Sequence, residues 1–494
     1  MARQVPLARL EQTLDASGVA PIIEEALPAG VRPRQLPTRT LMLGKMLALA
    51  DSRNAYLTEA HAALTALPAA DQERLGVVTD WKTGPHQLTY RQVEHTYATI
   101  TRLLSKPEPD GAPSPLLLRL CNQLIEAGIP AAFKNARSLA ADWTDVEAWS
   151  RAVPADKPGT GTDPEARWGH RNATRSIQQG DMFFGYLLSA AVTVAEENGE
   201  PVPELARRIT VCSSAHDPPA ELARVLTQMP GDGIALGDIL ADSGYAHRVP
   251  DTWADPLRSA GAQLVVDLHP HDRGPRGTHQ GAIIANGNLY CPATPQPLLE
   301  LVPLPPGASA ADTAVHDQKT AELSRYKLGV HAGDDANGYR RHTCPAAARK
   351  IRCPLRPASM TLDRSRPEIL TPPQHPQACC TQKTITAGPD VAAKTRQKHD
   401  YPSAQWRASY ARRTAAERFN ASIKDPAVNS IDQGWIRLIG LTPLLLWLSC
   451  LVVVRNQRTL NAFQERQDRE CAAATRPRAR RRRRELAGAP AGPP

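Results

Sequence analysis

The sequence predicts an α/β protein: a mixed sheet flanked by helices, preceded by a helical region and split by a large insertion before its last helices. Three observations predict it. Short strand-like apolar runs begin near residue 135, a strand–helix–strand alternation follows them, and apolar residues recur at helical spacing both before residue 130 and after residue 400. With 494 residues, the chain exceeds one ordinary core, so two or three domains, or one core with an insertion, are expected.

Residues 1–130 read as helical. Leu41 to Leu64 and Gln92 to Leu104 carry apolar residues three and four apart, and Thr89 with Gln92 forms a capping-box pattern. Such a region can bind DNA or serve as a scaffold for the next domain; no recognition helix is identifiable in it. Residues 131–268 turn to strands: Ser138 to Ala141 ending at Asp142, Phe183 to Val194, and Ile209 to Cys212. A helix over Ala220 to Gln228 follows, then a strand over Ile239 to Ala241 ending at Asp242. A helical stretch around Asp255 to Ala260 and a strand over Gln263 to Leu268 complete this part. Residues 269–399, rich in proline, polar residues and cysteine, read as a β-rich insertion. Helical patterning returns over 400–467, and 468–494 reads as a basic, disordered tail containing the run Arg476 to Arg484.

A hydrophobic fraction of 41% is enough for a globular core, and 45 prolines break it often. The formal charge of +9 favours a polyanionic partner without distinguishing DNA, RNA or lipid. The opening Met1-Ala2-Arg3-Gln4-Val5-Pro6 has no secretory pattern, so a cytoplasmic location is expected. Nine scattered cysteines argue for reduced thiols or a metal site over a disulfide framework. The apolar segment Leu438 to Val454 sits at the lower length limit for a membrane span and holds Gly440, Thr442 and Pro443 near its start; a buried core helix is expected, with no membrane.

The sharpest feature is Tyr410, Arg413, Glu417 and Lys424. At about 100° per residue these four fall within an arc of roughly 60° on a single helix, while Ala408, Ala415, Phe419 and Ile423 form the opposite, apolar side. A charged stripe facing a cleft has this form. So does a solvated face with an Arg413–Glu417 pair, worth only a few tenths of a kcal/mol.

The spacing Tyr, two residues, Arg, three residues, Glu, six residues, Lys resembles, at every position, the signature of cut-and-paste DDE transposases of bacterial insertion sequences. Their catalytic domain is ribonuclease-H-like. The resemblance covers about Ser138 through Asn456 and implies that Glu417 is the third acid of a triad, with Tyr410, Arg413 and Lys424 on the DNA backbone near the cleaved end. It also requires two upstream aspartates at strand ends. Asp242, in Leu240-Ala241-Asp242-Ser243-Gly244-Tyr245, fits the second, beside its reading as an Asp-Ser-Gly turn. Asp142, in Asp142-Trp143-Thr144, resembles the family's Asp-x-Thr; Asp145 is a rival that a helix cap explains equally well. The long stretch from Asp242 to Glu417 is similar to that of members with a β-rich insertion between those acids.

By this resemblance the cofactors are two divalent cations, Mg2+ with Mn2+ as a substitute, held by Asp142, Asp242 and Glu417. Two such ions about 3.5–4 Å apart stabilise both attacking and leaving oxygens, and hard cations prefer oxygen ligands. The implied partner is double-stranded DNA, as element ends and target, with a homodimer in the synaptic complex. The implied function is a DNA transposase that cleaves at insertion-sequence ends and transfers strands into target DNA. The rivals are a ribonuclease-H-like nuclease without strand transfer and a catalytically inactive DNA-binding remnant.

Weaker signals have bland readings. Cys344 and Cys353 flank a basic loop, with Cys291, Cys379, Cys380, His342 and His375 in the same insertion, yet paired Cys-x-x-Cys knuckles are absent and isolated thiols are expected. His269-Pro270-His271-Asp272 could touch metal or DNA; a polar loop is the commoner explanation, and no ligand is assigned. Trp168, Trp406, Trp435 and Trp447 suit base stacking or, more commonly, core packing.

Overall fold

The computed structural model describes residues 5–28, 36–81, 84–105, 112–171 and 182–475. Its N-terminal helices are Leu7–Ser17, Val19–Ala26, Thr38–Ala50, Leu57–Thr65, Ala69–Arg74, Tyr90–Leu104 and Pro115–Ala127. The run from Leu41 to Leu64 forms two of these. Asp51-Ser52-Arg53-Asn54 gives the core no apolar side chain, and the chain turns there with Ser52 at φ 58°. Gly44 lets the two helices cross closely, since a Cβ on it would come within 2.7 Å of Leu64. The capping box forms as expected, with Gln92 Oε1 accepting from the Thr89 N–H at 2.7 Å. The short hairpin of β1 (Val78–Trp81) and β2 (Gly84–Gln87) carries no alternating apolar pattern and has no counterpart in the sequence reading.

The central sheet has six strands: β3 (Leu139–Glu147), β4 (Arg167–His170), β5 (Met182–Thr193), β6 (Ala206–Ser213), β7 (Asp238–Ala241) and β8 (Gln263–Val266). It is mixed. β3 and β5 are antiparallel, as are β5 with β4 and β5 with β6, whereas β3, β7 and β8 run parallel. One expectation needs correcting: β3 does not end at Asp142. It continues through Trp143, Thr144 and Asp145 because β5 pairs with it along the whole length, from Leu139 opposite Thr193 to Glu147 opposite Gly185. β5 is buried from Phe183 through Thr193, which alternating side chains permit only when both faces are covered. Helices Pro218–Leu226 and Thr414–Ile423 both pack on it.

The free edge of β6 is closed by two asparagines. Asn122 accepts from the Ile209 N–H (2.8 Å) and donates to the Ile209 carbonyl (3.0 Å); Asn456 does the same for Ala206 (3.0 and 2.8 Å). Each replaces the ladder partner an edge strand lacks. Asn456 belongs to helix Leu441–Thr475, in which every residue from Leu441 to Val454 except Pro443 is buried. The apolar segment is thus core, packed on Thr38–Ala50 and Pro115–Ala127. Among the described residues no helix is long and apolar enough to cross a membrane. This helix runs through Thr475, past the expected tail boundary at 468; the arginine run lies outside the described residues.

The insertion folds around two three-stranded sheets: β9 (Pro275–His279), β10 (Ala282–Ala285) and β11 (Asn288–Tyr290), then β12 (Gly329–Ala332), β13 (Arg340–Thr343) and β14 (Ile385–Ala387). Helix Ala310–Tyr326 lies between them in sequence. The insertion has two apolar clusters of its own. The main core, by contrast, runs without a break from the N-terminal helices through the sheet to Val454.

Candidate active site

Register brings the two aspartates together. β3 and β7 run parallel with Leu139 opposite Ile239 and Ala140 opposite Leu240, so Asp142 and Asp242 stand level with each other two residues further on. Side chains alternate along a strand, so both carboxylates share the face set by Ala140 and Leu240. Asp242 follows the last residue of β7 and caps the short helix Ser243–Ala246, accepting from the N–H groups of Gly244 (2.9 Å) and Tyr245 (3.4 Å). Gly244 is needed for a second reason: a Cβ there would meet the Trp143 indole at 2.5 Å. Trp143, Tyr245 and Trp253 then pack in series, with ring centroids 4.6 Å apart and planes tilted by 49° and 52°, and wedge the two acid-bearing segments together.

The third acid arrives on helix Thr414–Ile423, whose buried Ala415, Ala416, Phe419 and Ile423 hold it against β3 and β5. The expected single helix through Tyr410 and Lys424 is interrupted. Ala404–Tyr410 is α-helical, Ala411–Arg413 is a 3-10 turn, and Lys424 is the C-cap of the next α-helix. The change of pitch also alters the apolar face: Ala408 is exposed, and Trp406 and Ser409 are buried in its place. Adjacent arginines of the 3-10 turn serve different anchors. Arg412 bonds Asp238 at the start of β7 (2.7 Å) and the Ala195 carbonyl (2.8 Å). Arg413 pairs with Glu417, lies 3.9 Å from Asp142 and also feels the charge of Asp242.

Arg413 therefore sits among all three carboxylates. Glu417 keeps a half-exposed side chain, as a surface ion pair would, but its partner Arg413 also faces the partly buried Asp142 and Asp242. Burial, then the neighbouring charge of Asp242, pushes the Asp142 carboxyl up to about 6. Burial raises Asp242 too, against the opposing pull of Arg413.

Asn420, one turn beyond Glu417, is a residue the sequence reading missed. Its Nδ2 donates to Asp142 Oδ2 at 3.1 Å, while its Oδ1 is buried without a partner. The only sequence signal is its i+3 position from Glu417. The rival Asp145 is no helix cap: it lies within β3, bonded to Lys424 (2.8 Å) and Arg171 (3.0 Å).

No protein-family model matches this chain, and no curated protein matches it.

The remaining sequence candidates fall as follows. Tyr410 is stacked on Trp406, with centroids 4.9 Å apart and planes 14° apart, and the Arg413 guanidinium lies over the Tyr410 ring, 5.6 Å from its centroid. Trp406 is core, donating to the Val266 carbonyl at 3.0 Å; Trp447 is buried, and Trp168 donates to the Val153 carbonyl at 2.7 Å. No disulfide joins any of the nine cysteines; Cys291, Cys344 and Cys353 pack in one apolar cluster of the insertion and Cys379 and Cys380 in the other.

The site offers only oxygen donors on its three acids, the two aspartates partly buried, plus an unpartnered amide oxygen beside Asp142; among the described residues the three carboxylates do not all come within 4.8 Å of one another, and Glu417 joins the pair only through Arg413. This donor set suits hard divalent cations. The basic side chains beside it, Arg413 and Lys424, are partnered by acids that a cation or a phosphate could relieve.

Proposed function

We propose that the chain is a DDE-type DNA transposase with a ribonuclease-H-like catalytic domain, acting on the ends of an insertion sequence and joining them to target DNA. The observation that carries this reading is the level placement of Asp142 and Asp242 across β3 and β7, with Glu417 tied to the same pair through Arg413. The antiparallel strands β3 to β6 followed by parallel β7 and β8 also support it.

In this reading Asp142, Asp242 and Glu417 hold the cations. Once bound, those ions would stabilise negative charge on the attacking and leaving oxygens of the phosphodiester. Asn420 keeps the Asp142 carboxylate turned into the site. Arg413, released from Glu417, and Lys424, released from Asp145, grip backbone phosphates and hold the scissile group in line. Tyr410, stacked on Trp406, gives the Arg413 guanidinium a wall to lie against and meets DNA only at its rim. Double-stranded DNA is the partner, a homodimer would synapse two ends, and a cytoplasmic location goes with this work.

The test uses purified full-length protein, the DNA on either side of this reading frame with any terminal inverted repeats found in it, and Mg2+ or Mn2+. Cleavage at the ends and joining to a second duplex are expected, both lost in Asp142→Asn, Asp242→Asn and Glu417→Gln. Cleavage without joining would mark a nuclease. Binding of the ends with no cleavage under either metal would leave the inactive remnant as the answer.

A further inference from the structure

The loop after β7 and the loop after β8 meet in a cluster that the proposed chemistry does not use. His247 closes the helix capped by Asp242, His269 lies three residues past β8, and Asp272 ends the 3-10 turn Pro270–Asp272. One ligand atom from each of the three lies within 4.8 Å of the other two, and among the described residues no other group of three metal-binding side chains converges in this way. His247 Nδ1 is 3.1 Å from Asp272 Oδ2, and the two imidazole rings lie 4.0 Å apart.

We infer that His247, His269 and Asp272 form a binding site for a divalent first-row transition ion such as Zn2+ or Co2+, separate from the three-acid site. Two imidazoles and a carboxylate make a donor set of intermediate softness, which selects such ions over Mg2+. Three protein ligands leave a coordination position for water or a phosphate oxygen. Lys394 is the natural competitor. Its ammonium lies 2.9 Å from Asp272 and 3.4 Å from His247 Nδ1, holding the ligands together by charge, and its long, partly exposed stem lets it swing away. The site ties together the two strand-end loops next to Asp242. It does not depend on the transposase reading, because it uses none of that reading's residues.

Cobalt binding tests it on the full-length chain, with excess Mg2+ present to keep cobalt off the acids. One equivalent of Co2+ should bind, with a visible d–d spectrum lacking the intense sulfur-to-cobalt band of thiolate ligation. His247→Ala and the more conservative His269→Gln should each weaken binding at least about 100-fold while circular dichroism stays unchanged. Asp142→Asn should bind cobalt as the wild type does. Lys394→Ala should bind more tightly, on the order of 10-fold, since it removes the competing cation. Wild-type affinity in both folded histidine variants, a sulfur-dominated spectrum, or no cobalt bound by the wild type would each overturn the assignment.

Discussion

Asp142 and Asp242 each lie two residues beyond the parallel pair Ala140–Leu240 of β3 and β7, so that two partly buried carboxyls stand level at one end of the sheet. Their proximity has a thermodynamic cost. Asp142 is raised from its ordinary 3.8 to about 6, so the folded state prefers it protonated; the penalty is absent below 3.8, grows as pH rises between the two values and is complete above about 6. Asp142→Asn should therefore stabilise the metal-free protein by about 1–3 kcal/mol at neutral pH, and the unpartnered Asn420 Oδ1 can turn to accept from the new amide. The same variant should lose the added stability that Mg2+ gives the wild type. Urea unfolding with and without Mg2+, repeated at about pH 4 where the gain should shrink, checks both. A less stable variant at neutral pH contradicts the account.

Asn420 orients Asp142 and touches neither of the other acids through any hydrogen bond described here. Asn420→Ala should lower the cleavage rate and the apparent Mg2+ affinity by about 10–100-fold, the usual effect of losing a group that orients a ligand. Raising Mg2+ should recover part of the rate. A rate unchanged at every Mg2+ concentration would show that the carboxylate needs no such support.

Asp145 separates the two readings of the first acid. Although burial opposes it, the Lys424 ammonium and the Arg171 guanidinium hold this carboxyl below the usual range. A depressed folded pKa stabilises the protein above the unfolded value and loses that effect as pH falls through the folded one. Asp145→Asn should cost about 1–2 kcal/mol at neutral pH and leave Mg2+ binding intact, the reverse of Asp142→Asn. Isothermal titration of both variants with Mg2+ and Mn2+ tells them apart; loss of binding in Asp145→Asn alone would exchange their roles.

The parts that were legible in the sequence are those whose pattern is local. The apolar run before Asp242 and the Thr89–Gln92 box need only neighbouring residues, and both formed as read. The end of β3 was not legible, because what extends it is a distant strand, β5, pairing as far as Glu147. The pitch change at Ala411–Arg413 was hidden for a similar reason: Arg412 is drawn to Asp238, far back in the chain, and no helical periodicity encodes so distant an anchor. Asn420 and His247 carry no motif, and the His269–Asp272 run offered only two of the three converging groups; only folding places them beside their partners.

Lys45 is fully buried in the N-terminal core, 4.3 Å from the Tyr97 ring centroid, and its ammonium has no hydrogen-bond partner. Burial pushes it down to about 8. A lysine depressed in the folded state destabilises the protein fully below that value, and the penalty fades as pH rises from 8 towards the ordinary 10.5. Lys45→Met should thus stabilise the chain by about 1–3 kcal/mol at neutral pH, with the gain shrinking by about pH 9.5. Denaturant unfolding at both values checks the direction; destabilisation at neutral pH would mean that the Tyr97 contact outweighs desolvation.

The two asparagines on β6 predict where the sheet opens first. Asn456 satisfies both the N–H and the carbonyl of Ala206, and Asn122 does so for Ile209, three residues along the same edge. Asn456→Leu fills a similar volume but leaves a buried donor and a buried acceptor unpaired, at about 1–3 kcal/mol for each group left alone. Hydrogen exchange at Ala206 should accelerate in this variant, while Ile209, still held by Asn122, keeps its protection. If both amides lost protection equally, the edge would open as one unit and the division of labour between the two helices would be wrong. If neither changed, solvent would be reaching Ala206 already, which its complete burial argues against.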